Sequence, residues 1–178
     1  RVRAQAESAL PAELRAGLGA VADGAQGALN AVVGDFLKTR GNGLAIDLGF
    51  FHDGVPLRLE SATLAAALGT VTPKLAVFVH GLGCTESVFH PSLRAIEEGK
   101  QVDYGALLSA RHGFTALHVR YNTGLHVSQN GRELANKLDE LVAAWPGEVQ
   151  QLVLIGHSMG GLVCRSAVHY AAADARSF

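Results

Sequence analysis

Apolar residues recur along this chain with two different periods, and the alternation between them predicts its architecture. From Leu10 to Leu37 the apolar positions step by three and four: Leu10, Leu14, Leu18, Val21, Ala25, Leu29, Val32 or Val33, and Phe36. That spacing predicts a helix with one apolar stripe. Glu13, Arg15, Asp23, Gln26, Asn30 and Lys38 fall off the stripe. Glycines at 17, 19, 24, 27 and 34 each weaken such a helix by roughly 1 kcal/mol against alanine, and they either permit close packing or divide the segment. A lipid-docking helix needs a basic polar face, and this one is mixed, so the stripe is expected to pack on the main body or on a partner subunit.

Further on the period changes. Arg1 to Ala9 is a polar lead-in, and Arg40-Gly41-Asn42-Gly43 is a turn. Leu44 to Phe51 alternates in part, His52-Asp53-Gly54 reads as a hairpin turn, and Val55 to Leu59 as the returning strand. Ser61 to Leu68 suits a short helix. Leu75 to Val79 is apolar on both faces, as a central parallel strand should be. A helical or mixed stretch runs to Gly99, followed by a helix over Asp103–His112 and a strand over Phe114–Val119 that ends in Arg120-Tyr121-Asn122-Thr123-Gly124. Asn130 to Trp145 is amphipathic and stopped by Pro146-Gly147, and Gln151 to Ile155 is another apolar strand. Strands alternating with helices predict an α/β fold with a mostly parallel sheet and flanking helices. The expected division is an N-terminal helical extension over 1–40 and an α/β domain over 41–178.

The last strand runs into Gly156-His157-Ser158-Met159-Gly160-Gly161, and a helical pattern follows. Strand, Gly-x-Ser-x-Gly, helix is the context in which this motif holds a nucleophilic serine on a sharp turn. The flanking glycines, Gly156 and Gly160, fit because side chains there would collide with the neighbouring strand and helix, and Gly161 is an extra glycine beside them. A second glycine-rich loop, His80-Gly81-Leu82-Gly83, closes the strand ending at Val79 and so lies at the same carboxyl edge. The expected donors to an oxyanion are the N–H of Met159, just after the serine, and that of Leu82. His80 is expected to bond backbone in its loop rather than act as a base. His52 and Asp53 are expected to be turn residues.

Composition narrows the function classes. The 178 residues are 48% apolar with a net charge of −1, and their basic residues are not clustered, which argues against nucleic acid as a partner. The two cysteines, Cys84 and Cys164, read as small buried thiols. No metal-ligand spacing occurs and no cofactor is implied: Gly-Leu-Gly at 81–83 lacks the third glycine and the downstream acidic residue of a dinucleotide fingerprint. No apolar run is long enough for a transmembrane segment. No signal peptide is visible in a chain that starts at Arg1 rather than Met, and a cytoplasmic location is the expectation.

The motifs at 156–163 (Gly-His-Ser-Met-Gly-Gly-Leu-Val) and 79–83 (Val-His-Gly-Leu-Gly) resemble α/β-hydrolases of the lipase/esterase kind. They are similar to bacterial lipases and to the group that includes the GPI inositol-deacylases (PGAP1-like) and lecithin:cholesterol acyltransferases. The resemblance covers roughly Leu44 to the end. It implies hydrolysis of a small-molecule or lipid ester through an acyl-serine, with Ser158 as nucleophile and Leu82 and Met159 as oxyanion donors. His80, Gly81, Gly83, Gly156, His157, Gly160 and Gly161 would support the two motifs. Contact with a lipid surface and the oligomeric state stay open.

A serine needs a base, and in this fold the order is serine, then acid, then histidine. After Ser158 the chain offers His169 and Asp174, in reverse order. His169 lies eleven residues along the same helix, about 16 Å down its axis at 1.5 Å per residue. Upstream, His90 and His126 read as loop histidines. The catalytic acid and base are therefore expected beyond Phe178, in the missing part of a longer hydrolase. The apolar run Gln151–Ile155 agrees, since without a following strand it would form a bare edge. Two alternatives remain: a thioesterase or acyltransferase on the same fold, and a non-catalytic hydrolase-like binding scaffold.

Overall fold

The strand whose sequence is apolar on both faces, β3 (Lys74–Val79), lies between two parallel neighbours in the computed structural model, which describes residues 12–89 and 103–176. Those neighbours are β4 (Thr115–Arg120) and β5 (Gln151–Gly156). The hairpin β1 (Gly49–His52) and β2 (Val55–Pro56) extends the sheet beyond β4 with antiparallel pairing, giving the order β2-β1-β4-β3-β5. The sheet is thus mostly but not wholly parallel, and the α/β class read from the sequence holds.

Helices cover both faces of this sheet. Leu75, Val77 and Val79 of β3, with Leu117 and Val119 of β4, pack against Leu134, Leu138 and Leu141 of α4 (Val127–Ala144) and Val163 and Ala167 of α5 (Met159–Ala173). Leu64 of α2 (Ser61–Leu68) joins the same core. The other face is thinner: Ala76, Phe78, Phe114 and Ala116 pack with Phe89 and with Leu108 of α3 (Tyr104–His112). Asp103 caps α3 by accepting from the Ala106 N–H at 2.8 Å, so the helix starts one residue later than expected. At the hairpin, Asp53 (φ 49°) and Gly54 (φ 74°) both take the left-handed conformation, as a tight type I′ turn requires. Asp53 is a turn residue, as expected, whereas His52 is the last residue of β1, paired with Val55. β5 is an edge strand among the described residues, and its Leu152, Val153, Leu154 and Ile155 stay half-buried.

Helix α1 (Ala12–Thr39) bends at Val33 (φ −132°, ψ 18°), and its orientation is the reverse of what its apolar stripe suggests. Val21 (72% exposed), Val32 (80%) and Phe36 (57%) face outward. The docked face is Gly27, Asn30, Gly34 and Leu37. A polar side chain and missing side chains explain the choice. Asn30 is fully buried, with Nδ2 donating to the carbonyls of Gln26 (2.9 Å) and Leu44 (2.8 Å) and Oδ1 accepting from the Ile46 N–H (3.0 Å). Those bonds occupy the backbone of residues 44–46, so the expected strand from Leu44 shortens to one beginning at Gly49. A β-carbon at Gly34 would overlap Asn122, whose Nδ2 donates to the Gly34 carbonyl at 2.8 Å and whose Oδ1 accepts from the Gly124 N–H at 3.0 Å. The expectation that the glycines permit close packing is met at Gly27 and Gly34, while Gly19 and Gly24 have no neighbour. No helix among the described residues is long and apolar enough to cross a membrane.

This orientation predicts an inverted mutational pattern. Asn122→Ala removes the bonds to the buried Gly34 carbonyl and the Gly124 N–H, a loss of about 2 kcal/mol. Val32→Glu, although it places a charge on the apolar stripe, changes stability by no more than about 0.5 kcal/mol. Urea denaturation of both variants checks this; the opposite ranking would mean that the stripe is the docked face.

Candidate active site

β5 ends at Gly156 and α5 begins at Met159, so a single turn reverses the chain at Ser158. Ser158 has φ 54° and ψ −124°, a region that side chains avoid, at a cost of order 1–3 kcal/mol. The turn is held in place from both sides. The His157 N–H donates to the Val79 carbonyl at 2.9 Å, tying the end of β5 to the end of β3. Behind the serine, α5 presses on the same strand: a β-carbon at Gly160 would overlap the Val79 carbonyl and lie 2.6 Å from that of His80. One at Gly156 would lie 2.5 Å from the Gly161 Cα. These contacts explain Gly156 and Gly160; a β-carbon at Gly161 would lie 3.9 Å from the Gly156 carbonyl, an ordinary contact. The Ser158 side chain is exposed and makes no capping bond to α5, so its Oγ stands free at the carboxyl edge.

The turn after β3 closes against this serine. A β-carbon on Gly81 would lie 3.0 Å from the Ser158 Cβ and 3.3 Å from the His157 Nδ1. The Cys84 N–H donates to the Gly81 carbonyl at 3.2 Å, Gly83 takes φ 69°, and the Gly83 N–H donates to the Thr123 Oγ1 at 3.2 Å. The Leu82 N–H makes no such bond among the described residues. On the serine's other side, the Gly160 N–H turns back to the His157 carbonyl (2.9 Å) and the Gly161 N–H to that of Ser158 (3.0 Å). Met159 opens the helix, where an N–H has no intrahelical partner. Both expected oxyanion donors are therefore N–H groups left over when their neighbours have bonded. The helix dipole adds partial positive charge at the same end.

Buried side chains fix this edge from beneath. His80 Nδ1 lies 3.0 Å from the Gly81 carbonyl, which can only accept, so Nδ1 carries the proton. The ring stacks on Tyr121 at 4.6 Å, and the Tyr121 hydroxyl donates to the His80 carbonyl at 2.7 Å. Burial lowers the His80 pKa against a smaller opposing effect of the Gly81 bond, so the ring is neutral near pH 7. His80 thus bonds backbone within its own loop.

The sequence reading singled out none of the ion cluster beside the loop. The Arg120 Nε donates to Glu86 Oε2 at 2.9 Å, its Nη2 pairs with Glu86 Oε1 and with Asp23 Oδ2 (2.9 Å), and its guanidinium covers the Phe51 ring at 4.3 Å. Burial raises the Glu86 pKa, but the Arg120 bonds outweigh it and leave the carboxyl below its usual range. The available signal was the polar run Arg120–Gly124 directly after an apolar strand, at the edge where Ser158 stands.

The histidines and acids considered as partners lie elsewhere. His126 precedes α4, exposed, with its backbone N–H donating to Gln129 Oε1 at 3.2 Å. His169 sits far along α5 with its ring beside Tyr170 at 5.5 Å, and Asp174 pairs with Arg176 at 2.8 Å. His90 lies outside the described residues. No hydrogen bond joins the Ser158 hydroxyl to a side chain among the described residues. Cys164 is buried and its thiol is pushed up to about 11 by burial, so it is no competing nucleophile, while Cys84 is half-buried. No metal-ligating group of three or more side chains occurs among the described residues. Beside Gly156 and His157 an open hollow of about 800 Å³ is lined mainly by apolar side chains, including Phe78, Phe89, Leu108 and Ile155.

Residues 71–177, more than half of the chain, match the family model described as putative serine esterase (DUF676). No curated protein and no solved structure matches the chain.

The strained turn predicts that Ser158→Gly melts at a higher temperature than Ser158→Ala, because only glycine relieves the positive φ. The expected gain is about 1 kcal/mol after glycine's entropic cost. Equal stability of the two variants would show that the turn carries no strain.

Proposed function

The chain belongs to the putative serine esterase (DUF676) family, and on that premise we propose that it cleaves a carboxylic ester through an acyl-enzyme on Ser158. The observation that carries this reading is Ser158 itself: a positive-φ residue between strand and helix, its hydroxyl exposed, with the Gly81 turn packed against it. A base removes the hydroxyl proton as Oγ attacks the ester carbonyl carbon. The carbonyl electrons move onto oxygen, which accepts from the Leu82 and Met159 N–H groups. Collapse of this intermediate expels the alcohol, protonated by the same base. Water, deprotonated in turn, attacks the acyl-serine and releases the acid. The apolar hollow beside Gly156 and His157 favours a substrate with an apolar acyl part.

In this reading the base is a histidine with its acid; His126 and His169, the histidines considered within the described residues, lie away from Ser158. Each oxyanion donor is worth about 2.7–4 kcal/mol in the transition state.

With the full-length protein and a short-chain p-nitrophenyl ester, Ser158→Ala is expected to lower kcat by at least about 10³-fold while leaving the fold intact by circular dichroism. Turnover unchanged in Ser158→Ala would contradict the reading.

A further inference from the structure

Helix α1 lies wholly outside the family match, yet it packs closely against the candidate oxyanion loop. A β-carbon at Gly27 would lie 3.2 Å from both the Cys84 carbonyl and the Thr85 Cγ2. A β-carbon at Gly83 would lie 3.6 Å from the Ala31 Cβ, one helical turn further on. One turn before Gly27, Asp23 takes the Arg120 guanidinium, whose other bonds hold Glu86 at the start of the 3-10 turn Glu86–Phe89. The Gly81–Glu86 segment is therefore gripped at its middle by helix backbone and at its end by an ion pair. Further supports include Thr123, which takes the Gly83 N–H, and Ser158, against which Gly81 rests.

We propose that α1 is a positioning element of the site: through Asp23, Gly27 and Ala31 it holds the Gly81–Glu86 segment so that the Leu82 N–H keeps its place beside Ser158. This rests on the esterase reading, in which that N–H is an oxyanion donor. The chemistry explains why glycine is used. Gly27 costs the helix stability relative to alanine, and alanine in its place would make a better helix while pushing on the loop. Asp23 acts through Arg120 rather than on substrate, and its charge keeps the buried guanidinium bonded toward Glu86. The donor itself is backbone, so its position is set by whatever holds the turn, and a displacement of a few tenths of an ångström is felt in the transition state rather than in substrate binding.

The test uses the full-length protein, a fluorophosphonate probe that phosphonylates Ser158, and a p-nitrophenyl ester. Gly27→Ala is expected to slow labelling and lower kcat about 10-fold or more with KM within about 2-fold, a fraction of the 10²–10³ lost with a whole donor. Asp23→Asn, which keeps the shape of this half-buried side chain and removes its charge, is expected to lower kcat a few-fold, and Asp23→Glu to restore most of it. Val32→Ser, on the outward face of the same helix, leaves the rate unchanged. Wild-type labelling with Gly27→Ala and Asp23→Asn both at the wild-type rate would overturn the positioning role and leave the esterase reading standing. Loss confined to KM, or a loss tracking the unfolded fraction seen by thermal melting, would also overturn it. An unlabelled wild type would remove the esterase reading and this inference with it.

Discussion

The hydrogen bond from the His157 N–H to the Val79 carbonyl ties together the two strand ends on which the site is built. It places the turn at Ser158 directly beside the turn at Gly81, and the close approach of α5 to β3 at Gly160 leaves the chain no relaxed path between them. The positive φ at Ser158 follows from that confinement. A serine there costs stability, and a core of Leu, Val and Phe side chains on both faces of β3 sustains it. The same confinement leaves two N–H groups, on Leu82 and Met159, without the bonds their neighbours make.

Around this pair of turns the structure places buried polar groups, and each is bonded in a way that fixes backbone. Asn30 fastens residues 44–46 to α1, Asn122 fastens α1 to the end of β4, and Tyr121 holds the His80 carbonyl. The Asp23–Arg120–Glu86 cluster is the costliest of these to bury, because charges leave water. Bidentate geometry toward Glu86 and a second carboxylate at Asp23 offset that cost. In the proposed reading the N-terminal helix is part of the site's scaffold.

Much of this was legible in the sequence. The doubly apolar run at 75–79 marked a central strand, Asp53-Gly54 a tight hairpin, and Gly-x-Ser-x-Gly between strand and helix the turn at Ser158. The orientation of α1 was not legible. A 3.6-residue period identifies a face, and burial was inferred from hydrophobicity alone. Here the docked face is chosen by Gly27 and Gly34, which let backbone approach backbone, and by Asn30, which satisfies a neighbouring segment. Arg120 was equally hidden, because a lone arginine after a strand is read as solvated until its partners, 34 and 97 residues away in the chain, are seen. The half-buried edge of β5 was anticipated from its two apolar faces.

In the proposed reading, the exposed serine on its strained turn attacks a carbonyl, and the Leu82 and Met159 N–H groups stabilise the oxygen that results. The most direct test is to mix the full-length protein with a slowly deacylating ester, quench in acid, and map the acyl group by peptide mass spectrometry. The account predicts up to one acyl group per chain, on the peptide that contains Ser158. Ester turnover with the acyl group on Cys84 or another residue, or with no covalent intermediate under conditions that trap one in other serine esterases, would contradict it.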